Sequence, residues 1–427
     1  MKIRKIKFLN DDLLGNLELD FTNDTGIPFK NIVLVGENGV GKTTILRRIS
    51  EFIGSFARAY FYKFVEYENQ GICYKMERLA DDVYHNHRFK LVDQNSNKVY
   101  VLEPYGLDIP EEARPFMNNI FSYSANDYLK EKKDDFISII RRLVDLQNED
   151  CINYAYYNIK HDEAPQKWSD FFVGSKMKSF ADAWNIFFDK MSYFGMGFNC
   201  NHEKVIGFTK NGKQLNTIEL SSGEKQVIER AVPVLEKMTE EKDNLLLLDE
   251  PEMSLHPKWQ SKILSFYQNL FCDSHHNQQN QIFVASHSSY LLKNALKDNS
   301  TLIIRLIDNN GTIEAQRMEK TRYLKDITFA EINYLVFGIS SPEYHNQLYS
   351  QIQIKYNKNK VKACDDYILS HPAYNPALHQ KSSNHGAVVY STLCSYIRNS
   401  IDHYDNGNTF TEEELDSSIK LMQTILL

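Results

Sequence analysis

Apolar and polar residues alternate at the start of the chain. Residues 2–9 and 17–21 follow a period of two, which predicts the two strands of an entry hairpin, each with one buried face. The run Asn31-Ile32-Val33-Leu34-Val35 is apolar almost throughout and stops at a glycine, the pattern of a strand buried on both faces of a parallel sheet. A helix is predicted from Gly41 to about Phe56. Residues 58–124 read as further strands and loops that end near Ile120-Phe121-Ser122-Tyr123-Ser124.

From there to about residue 195 the period becomes helical. Phe136, Ile139, Ile140 and Leu143 form one apolar stripe, and Phe180, Trp184, Phe187, Phe188 and Met191 form another. Both stripes read as core packing. No sustained heptads appear, so this block is an insertion and not a long coiled-coil arm. Two more buried strands are predicted at Leu245–Leu248 and Gln281–Ala285, and the polar stretch from Asp273, with His275 and His276, reads as a solvated loop before the second. Leu302–Leu306 and Thr312–Met318 flank Asn309-Asn310-Gly311, a hairpin signal. Beyond about residue 345 the chain reads as mostly helical. Its last helix opens with a capping box of Thr411 and Glu414 and a staple from Phe410 to Leu415, then carries Leu415, Ile419 and Met422 on one face.

Composition narrows the picture. A chain of 427 residues with 25 Tyr and 25 Phe can bury a large core. The net charge of −7 means that any contact with nucleic acid must come from a local basic patch or a partner. Lys355, Lys358, Lys360 and Lys362 are a candidate patch, although a solvated helix face explains them as well. The six cysteines show no paired Cys-x-x-Cys spacing, which argues against a zinc ribbon or disulfide framework and suits a reduced cytosol. Met-Lys-Ile-Arg-Lys-Ile-Lys has no apolar run behind it, and no stretch approaches the length of a membrane span. A cytoplasmic protein with no membrane contact is expected.

Candidate chemistry is concentrated in a few segments. Gly36-Glu37-Asn38-Gly39-Val40-Gly41-Lys42-Thr43, followed by Thr44, is a complete Walker A motif between an apolar strand and a helix. Its glycines let backbone N–H groups wrap phosphates, and the helix N-terminus adds favourable charge. Lys42 is expected on the β- and γ-phosphates and the Thr43 hydroxyl on Mg²⁺. Leu245–Leu248 runs into Asp249-Glu250, a Walker B strand. Asp249 is expected to hold Mg²⁺, and Glu250 to orient and deprotonate the attacking water. Leu220-Ser221-Ser222-Gly223-Glu224 precedes it in the form of an ABC signature. Alone it would be only a good helix N-cap, but its place before the Walker B strand favours contact with a γ-phosphate. Glu250-Pro251-Glu252-Met253-Ser254-Leu255-His256-Pro257 occupies the D-loop position, and Ser286-His287-Ser288 matches a switch histidine.

Order and spacing of these motifs resemble the ABC/SMC/RecF ATPase superfamily over roughly residues 1–290. The resemblance implies an α/β fold: an ABC/SMC-type P-loop ATPase head with a helical insertion and a mainly helical C-terminal domain. The head is expected at 1–125 and 201–340, the insertion at 126–200 and a partner-binding domain at 341–427. It also implies ATP and Mg²⁺ as cofactors and a homodimer in which Ser221, Ser222, Gly223 and Glu224 face the Walker A motif of the opposite subunit. His256, where transporters carry Asp, is similar to the RecF-like and OLD-like branch. Two family features are missing: a Q-loop glutamine after Ser122-Tyr123-Ser124, and a Toprim nuclease constellation, whose spacing Asp365-Asp366 does not match.

The segments Glu331–Gly338, Glu343–Tyr349 and Tyr396–His403 resemble the tails of PtuA-type ATPases of Septu and retron-associated anti-phage systems. That resemblance implies regulation of a partner HNH nuclease of the PtuB kind. A retron reverse transcriptase and its DNA are further candidate partners, with nucleic acid reached through the complex. Two other readings stay open. Arg398 and His403 also fit the Arg…His spacing of HEPN ribonucleases, which would make the chain an ATP-controlled ribonuclease. A RecF-like DNA-repair clamp is the other, and the acidic net charge speaks against it.

Overall fold

Every residue of strand β3 (Asn31–Gly36) is buried, and the first part of the molecule is built outward from it. The computed structural model describes the chain apart from residues 55–60, 80–87, 103–119, 125–135, 163, 174, 199–203, 216–218, 238–244, 273–277, 279, 319–322, 386–387 and 404–406. It divides into two compact units, Met1–Met318 and Glu319–Leu427.

In the first unit β3 lies between β13 (Gln281–Ala285) and β14 (Thr301–Asn309), parallel to both. Strand β12 (Leu245–Asp249) pairs in parallel with β13, and β8 (Ile120–Ser124) with β12, while β15 (Thr312–Arg317) closes the other edge antiparallel. All residues of β12 and β13 are buried, which is why these strands are apolar runs and not alternating ones. Register aligns Asp249 with Ala285 and Ala285 with Leu34, so three carboxyl ends sit side by side. That edge is where open α/β sheets bind ligands.

A second, antiparallel sheet runs in the order β2 (Glu18–Asp20), β1 (Lys2–Phe8), β4 (Tyr62–Asn69), β5 (Ile72–Arg78), β6 (Phe89–Asp93) and β7 (Val99–Leu102). It shares one core with the first. Ile6, Phe8, Val65 and Tyr67 from this sheet, Leu34 and Phe283 from the other, and Ile45, Ile49 and Phe52 of the helix Lys42–Gly54 are all buried together. The ring of Phe21 meets that of Phe283 edge-on at 5.0 Å.

The insertion contains helices Phe136–Lys160, Trp168–Phe172 and Lys176–Phe187, then a meander of β9 (Met191–Phe198), β10 (Lys204–Lys210) and β11 (Lys213–Leu215). The stripe expected to continue to Met191 leaves the helix at Phe187. Phe188 is already extended, and Met191 begins a strand. Both are nevertheless buried, and the rings of Trp184 and Phe188 lie 4.3 Å apart. Burial, and not a continuing helix, makes those two positions apolar.

In the second unit Tyr344, Leu348, Ile352, Cys364, Ile368, Leu393, Ile397, Ile419 and Met422 form the core. The helices are Phe329–Phe337, Pro342–Lys355, Val361–Ser370, Pro376–His379, Leu393–Asp402 and Glu412–Leu426, the last with the capping box Thr411–Glu414 complete. Ala330 and Tyr334 pack into this core, so the unit begins before residue 341, where the sequence alone put the boundary. A hairpin of β16 (Gln380–His385) and β17 (Val388–Thr392) interrupts the helices. Buried Asp365 holds it, accepting from the amides of Ser391 and Thr392 at 2.9 and 3.0 Å and from the Thr392 hydroxyl at 2.6 Å. Among the described residues no helix is long and apolar enough to cross a membrane.

Candidate functional site

The chain leaves β3 at Gly36 with φ 144°, where a Cβ would fall 2.4 Å from the carbonyl oxygen of Leu306, so only glycine fits. At Gly41 φ is 92°, and a Cβ there would fall 2.5 Å from the Leu14 side chain. Between them Glu37, Asn38 and Gly39 are exposed, and Val40 is buried as the anchor of the loop. Lys42 opens the following helix and folds back into the loop. Its Nζ donates to the carbonyls of Gly36 at 3.0 Å and Glu37 at 2.7 Å. Burial lowers its pKa to about 8, with Glu250, Asp249 and Glu252 pulling the other way.

Thr43 is exposed, and its hydroxyl lies 3.0 Å from each carboxylate oxygen of Asp249 at the end of β12, while Thr44 is half-buried beside it. A buried ammonium held by neutral carbonyls, a helix N-terminus and a hydroxyl–carboxylate pair make a donor set that fits a polyphosphate with a hard divalent cation. Among the described residues no cluster of three or more His, Cys, Asp and Glu converges as a self-sufficient metal cage. A cation here would complete its coordination with phosphate oxygens and water.

Glu250 takes the left-handed conformation, φ 48°, with its N–H bonded to the Ala285 carbonyl at 2.9 Å. This turn directs the two acids that follow β12 differently. The side chain of Glu250 is half-exposed, with Oε1 3.5 Å from His287 Nε2. Burial, then the charge of Lys42, lowers the pKa of His287, and Asp249 acts against them. Glu252 instead turns inward and is buried. Its Oε1 accepts from the Ser286 hydroxyl at 2.5 Å and from the His287 amide at 3.1 Å. Burial raises its pKa, and those two bonds oppose the rise.

The signature segment starts the helix Ser222–Lys237. The Ser221 amide donates to Glu224 Oε2 at 2.7 Å and the Glu224 amide to Ser221 Oγ at 3.4 Å, a reciprocal cap. Glu224 also receives Lys210 Nζ at 2.9 Å. Burial works against its charge, yet Lys210 and Ser221 hold its carboxyl low. Ser221 and Ser222 are exposed, and a Cβ on Gly223 would fall 2.7 Å from the Trp259 ring. Further along, buried Arg230 donates to the carbonyls of Pro251 and, at 2.8 Å, Met253, joining the signature helix to the D-loop segment. His256 caps the next helix, accepting from the Lys258 amide at 3.2 Å.

Lys42, Thr43, Asp249, Glu250 and His287 therefore share one sheet edge. Among the described hydrogen bonds none joins Ser221–Glu224 to the P-loop. Sequence reasoning assigned no role to Glu252 or Arg230. The second acid of Glu-Pro-Glu was the available signal for Glu252, and the arginine amid the apolar positions Val227, Ala231 and Val234 was the signal for Arg230.

In the second unit Arg398 pairs with Asp402 at 2.7 Å and donates to Asn399 at 3.0 Å, and the His403 amide caps the same helix on the Asn399 carbonyl. Of the lysines there, Lys355 donates to the Leu426 carbonyl at 2.5 Å and Lys362 pairs with Asp366 at 2.8 Å. His275, His276 and the segment after Ser124 lie outside the described residues.

Comparison with known proteins adds family context. A family model described as "AAA domain, putative AbiEii toxin, Type IV TA system" matches residues 77–293, just over half of the chain. The Septu protein PtuA of Bacillus thuringiensis is 21% identical over 404 residues, which cover 88% of this chain and 95% of that protein. The Septu protein PtuA of Bacillus mycoides (strain KBAB4) is 23% identical over 290 residues, 63% of this chain but only 36% of that longer protein. Two solved structures are related more loosely. The Smc head domain with an extended coiled coil bound to the C-terminal domain of ScpA derived from Pyrococcus furiosus has a TM-score of 0.40 at 15% identity, covering 74% of this chain and 96% of that one. The SMC head domain from Thermotoga maritima has a TM-score of 0.37 at 13% identity, covering 75% and 100%. The chain thus belongs to the AAA-domain family matched over residues 77–293, and within P-loop ATPases it is similar to the PtuA type along nearly its whole length.

Proposed function

We propose that this ATPase binds ATP with Mg²⁺ at the shared edge of β3, β12 and β13 and hydrolyses it slowly as a switch. The observation that carries the reading is the meeting of Lys42, Thr43, Asp249, Glu250 and His287 at that edge. Glu37–Gly41 form the loop between β3 and the helix Lys42–Gly54, and the backbone N–H groups of this turn and helix start are suited to wrapping phosphates. Lys42 would exchange its two carbonyls for phosphate oxygens, and Thr43 and Asp249 would hold the cation. Bound Mg²⁺ supplies charge neutralisation to the phosphates. Glu250 would accept the proton of the attacking water, and His287 would orient Glu250 and the terminal phosphate.

Two chains would close around two nucleotides, with Ser221, Ser222, Gly223 and Glu224 of one facing the P-loop of the other. The exposure of Ser221 and Ser222, with no described hydrogen bond to their own P-loop, supports this arrangement. Similarity to Septu PtuA supports a role in anti-phage defence, in which nucleotide state regulates a partner HNH nuclease. The test is ATP turnover by the purified chain with and without Mg²⁺, together with its mass with and without ATP. Cleavage of labelled RNA and duplex DNA is then compared for the chain alone and with an HNH nuclease of the PtuB kind added. Mg²⁺-dependent turnover, an ATP-dependent doubling of mass and cleavage only with the partner are expected. RNA cleavage by the chain alone that vanishes in Arg398→Ala would move the nuclease into this chain.

A further inference from the structure

Of the two acids that follow β12, Glu252 is the one that turns away from solvent, and it has no part in the chemistry above. Only 6% of its surface is exposed. Its Oε1 takes two donors of the switch segment, the Ser286 hydroxyl at 2.5 Å and the His287 amide at 3.1 Å. Its Oε2 is buried and makes no hydrogen bond to another described residue. Ser286 in turn accepts from the Ser288 amide at 3.1 Å, and Ser288 donates to Gln260 at 2.7 Å, whose amide returns to the Leu255 carbonyl at 2.9 Å. Two loops that leave neighbouring strands are thereby stitched together by side chains. Arg230 ties the same D-loop segment to the signature helix through Pro251 and Met253.

We propose that Glu252 is the positioning residue of the switch loop: through Ser286 and the His287 backbone it fixes where the His287 imidazole stands relative to Glu250. The inference rests on the reading of this edge as the hydrolytic site. A carboxylate buried at this cost is retained because it is the shared acceptor for both donors. Both donors bond to Oε1, and Oε2 bonds to no other described residue, so an amide in its place breaks neither described bond. D-loop motion, which Arg230 would transmit from the signature helix, would reach His287 by this route.

The test compares Glu252→Ala and Glu252→Gln, each alone and combined with His287→Ala. Glu252→Ala is expected to lower kcat by about tenfold with KM changed less than about twofold, the mark of a lost transition-state arrangement and not of lost binding. Glu252→Gln, which keeps the acceptor, should regain most of that rate. In the His287→Ala background Glu252→Ala should add no further loss. Multiplying losses in that background, or full kcat in Glu252→Ala, would overturn the proposal. Absence of turnover in the unaltered protein would defeat the hydrolytic reading but leave this one decidable. The His287 imidazole carbon-bound proton resonance, identified by its loss in His287→Ala, should move in Glu252→Ala and in Ser286→Ala but not in Glu252→Gln. An unmoved resonance in both alanine variants would refute it. If Glu252→Ala does not fold, Ser286→Ala removes the shorter of the two bonds and serves alone.

Discussion

His287 Nε2 stands 3.5 Å from Glu250 Oε1, although the two residues follow different strands. The pairing depends on parallel register: Asp249 is level with Ala285, so the residues just beyond each strand meet. The left-handed turn at Glu250 directs its carboxylate toward the imidazole.

This contact gives the first prediction. Glu250→Gln keeps the shape of the site but removes the proposed base, so ATP should still bind while turnover falls by about a hundredfold or more. Nucleotide affinity by calorimetry and phosphate release measure the two effects separately. His287→Ala should cost less, about tenfold in kcat. Because burial and Lys42 lower the His287 pKa, the acid limb of the rate profile that belongs to it should lie below the ordinary histidine value, and His287→Ala should remove that limb.

Lys42 gives a prediction in pH. Its pKa is lowered to about 8 by burial, and the ammonium is the form that attracts phosphate. Below that value the lysine is charged and affinity should be flat. As pH rises through it the free protein loses the charge, and ATP affinity should fall by up to about tenfold per pH unit. Calorimetric titrations at several pH values check this, and a flat profile into strong alkali would contradict it.

At the signature helix the crowding of Gly223 against Trp259 predicts the outcome of Gly223→Ala. The added methyl group must displace the indole, so under the proposed two-chain arrangement turnover should drop. ATP affinity of the isolated chain should stay within about twofold, because no described bond joins this segment to its own P-loop.

Arg230→Met should destabilise the first unit by about 2–4 kcal/mol. It leaves the buried Pro251 carbonyl and the half-buried Met253 carbonyl without their guanidinium donor. Thermal unfolding monitored through the tryptophans, all of which lie in that unit, reads the loss.

A fifth prediction concerns the second unit. His345 is fully buried, bonded through Nε2 to Ser418 at 2.9 Å, and burial lowers its pKa to about 4. Above pH 6.5 neither folded nor unfolded chain holds the extra proton, so His345 contributes no pH dependence there. Between about 6.5 and 4 the unfolded chain takes up a proton that the folded unit refuses. Its stability should therefore fall by about 1.4 kcal/mol per pH unit as the solution is acidified. Hydrogen exchange in residues of that core, compared between the unaltered protein and His345→Asn, should show a shallower acid dependence in the variant.

What could be read from the sequence was local. The apolar run at Asn31 to Val35 becomes the buried strand, Asn309-Asn310-Gly311 turns the hairpin, and Thr411 with Glu414 caps the final helix. Each is a short-range pattern whose physical cause lies within a few residues of chain. The order of the phosphate motifs made Lys42, Thr43, Asp249, Glu250 and His287 candidates for the same reason, since each motif is contiguous. Tertiary structure decided the remainder. Phe188 and Met191 kept a helical spacing after the helix had ended, because both stay buried, Phe188 against Trp184. The hairpin at Gln380–Thr392 depends on a carboxylate from another helix, Asp365. Glu250 and Glu252 are the same residue type two positions apart, yet one faces the candidate site and the other the interior. Sequence alone determined which groups were available. Strand register and the turn at Glu250 determined which of them meet, because contacts between distant segments are set by packing and not by local preference.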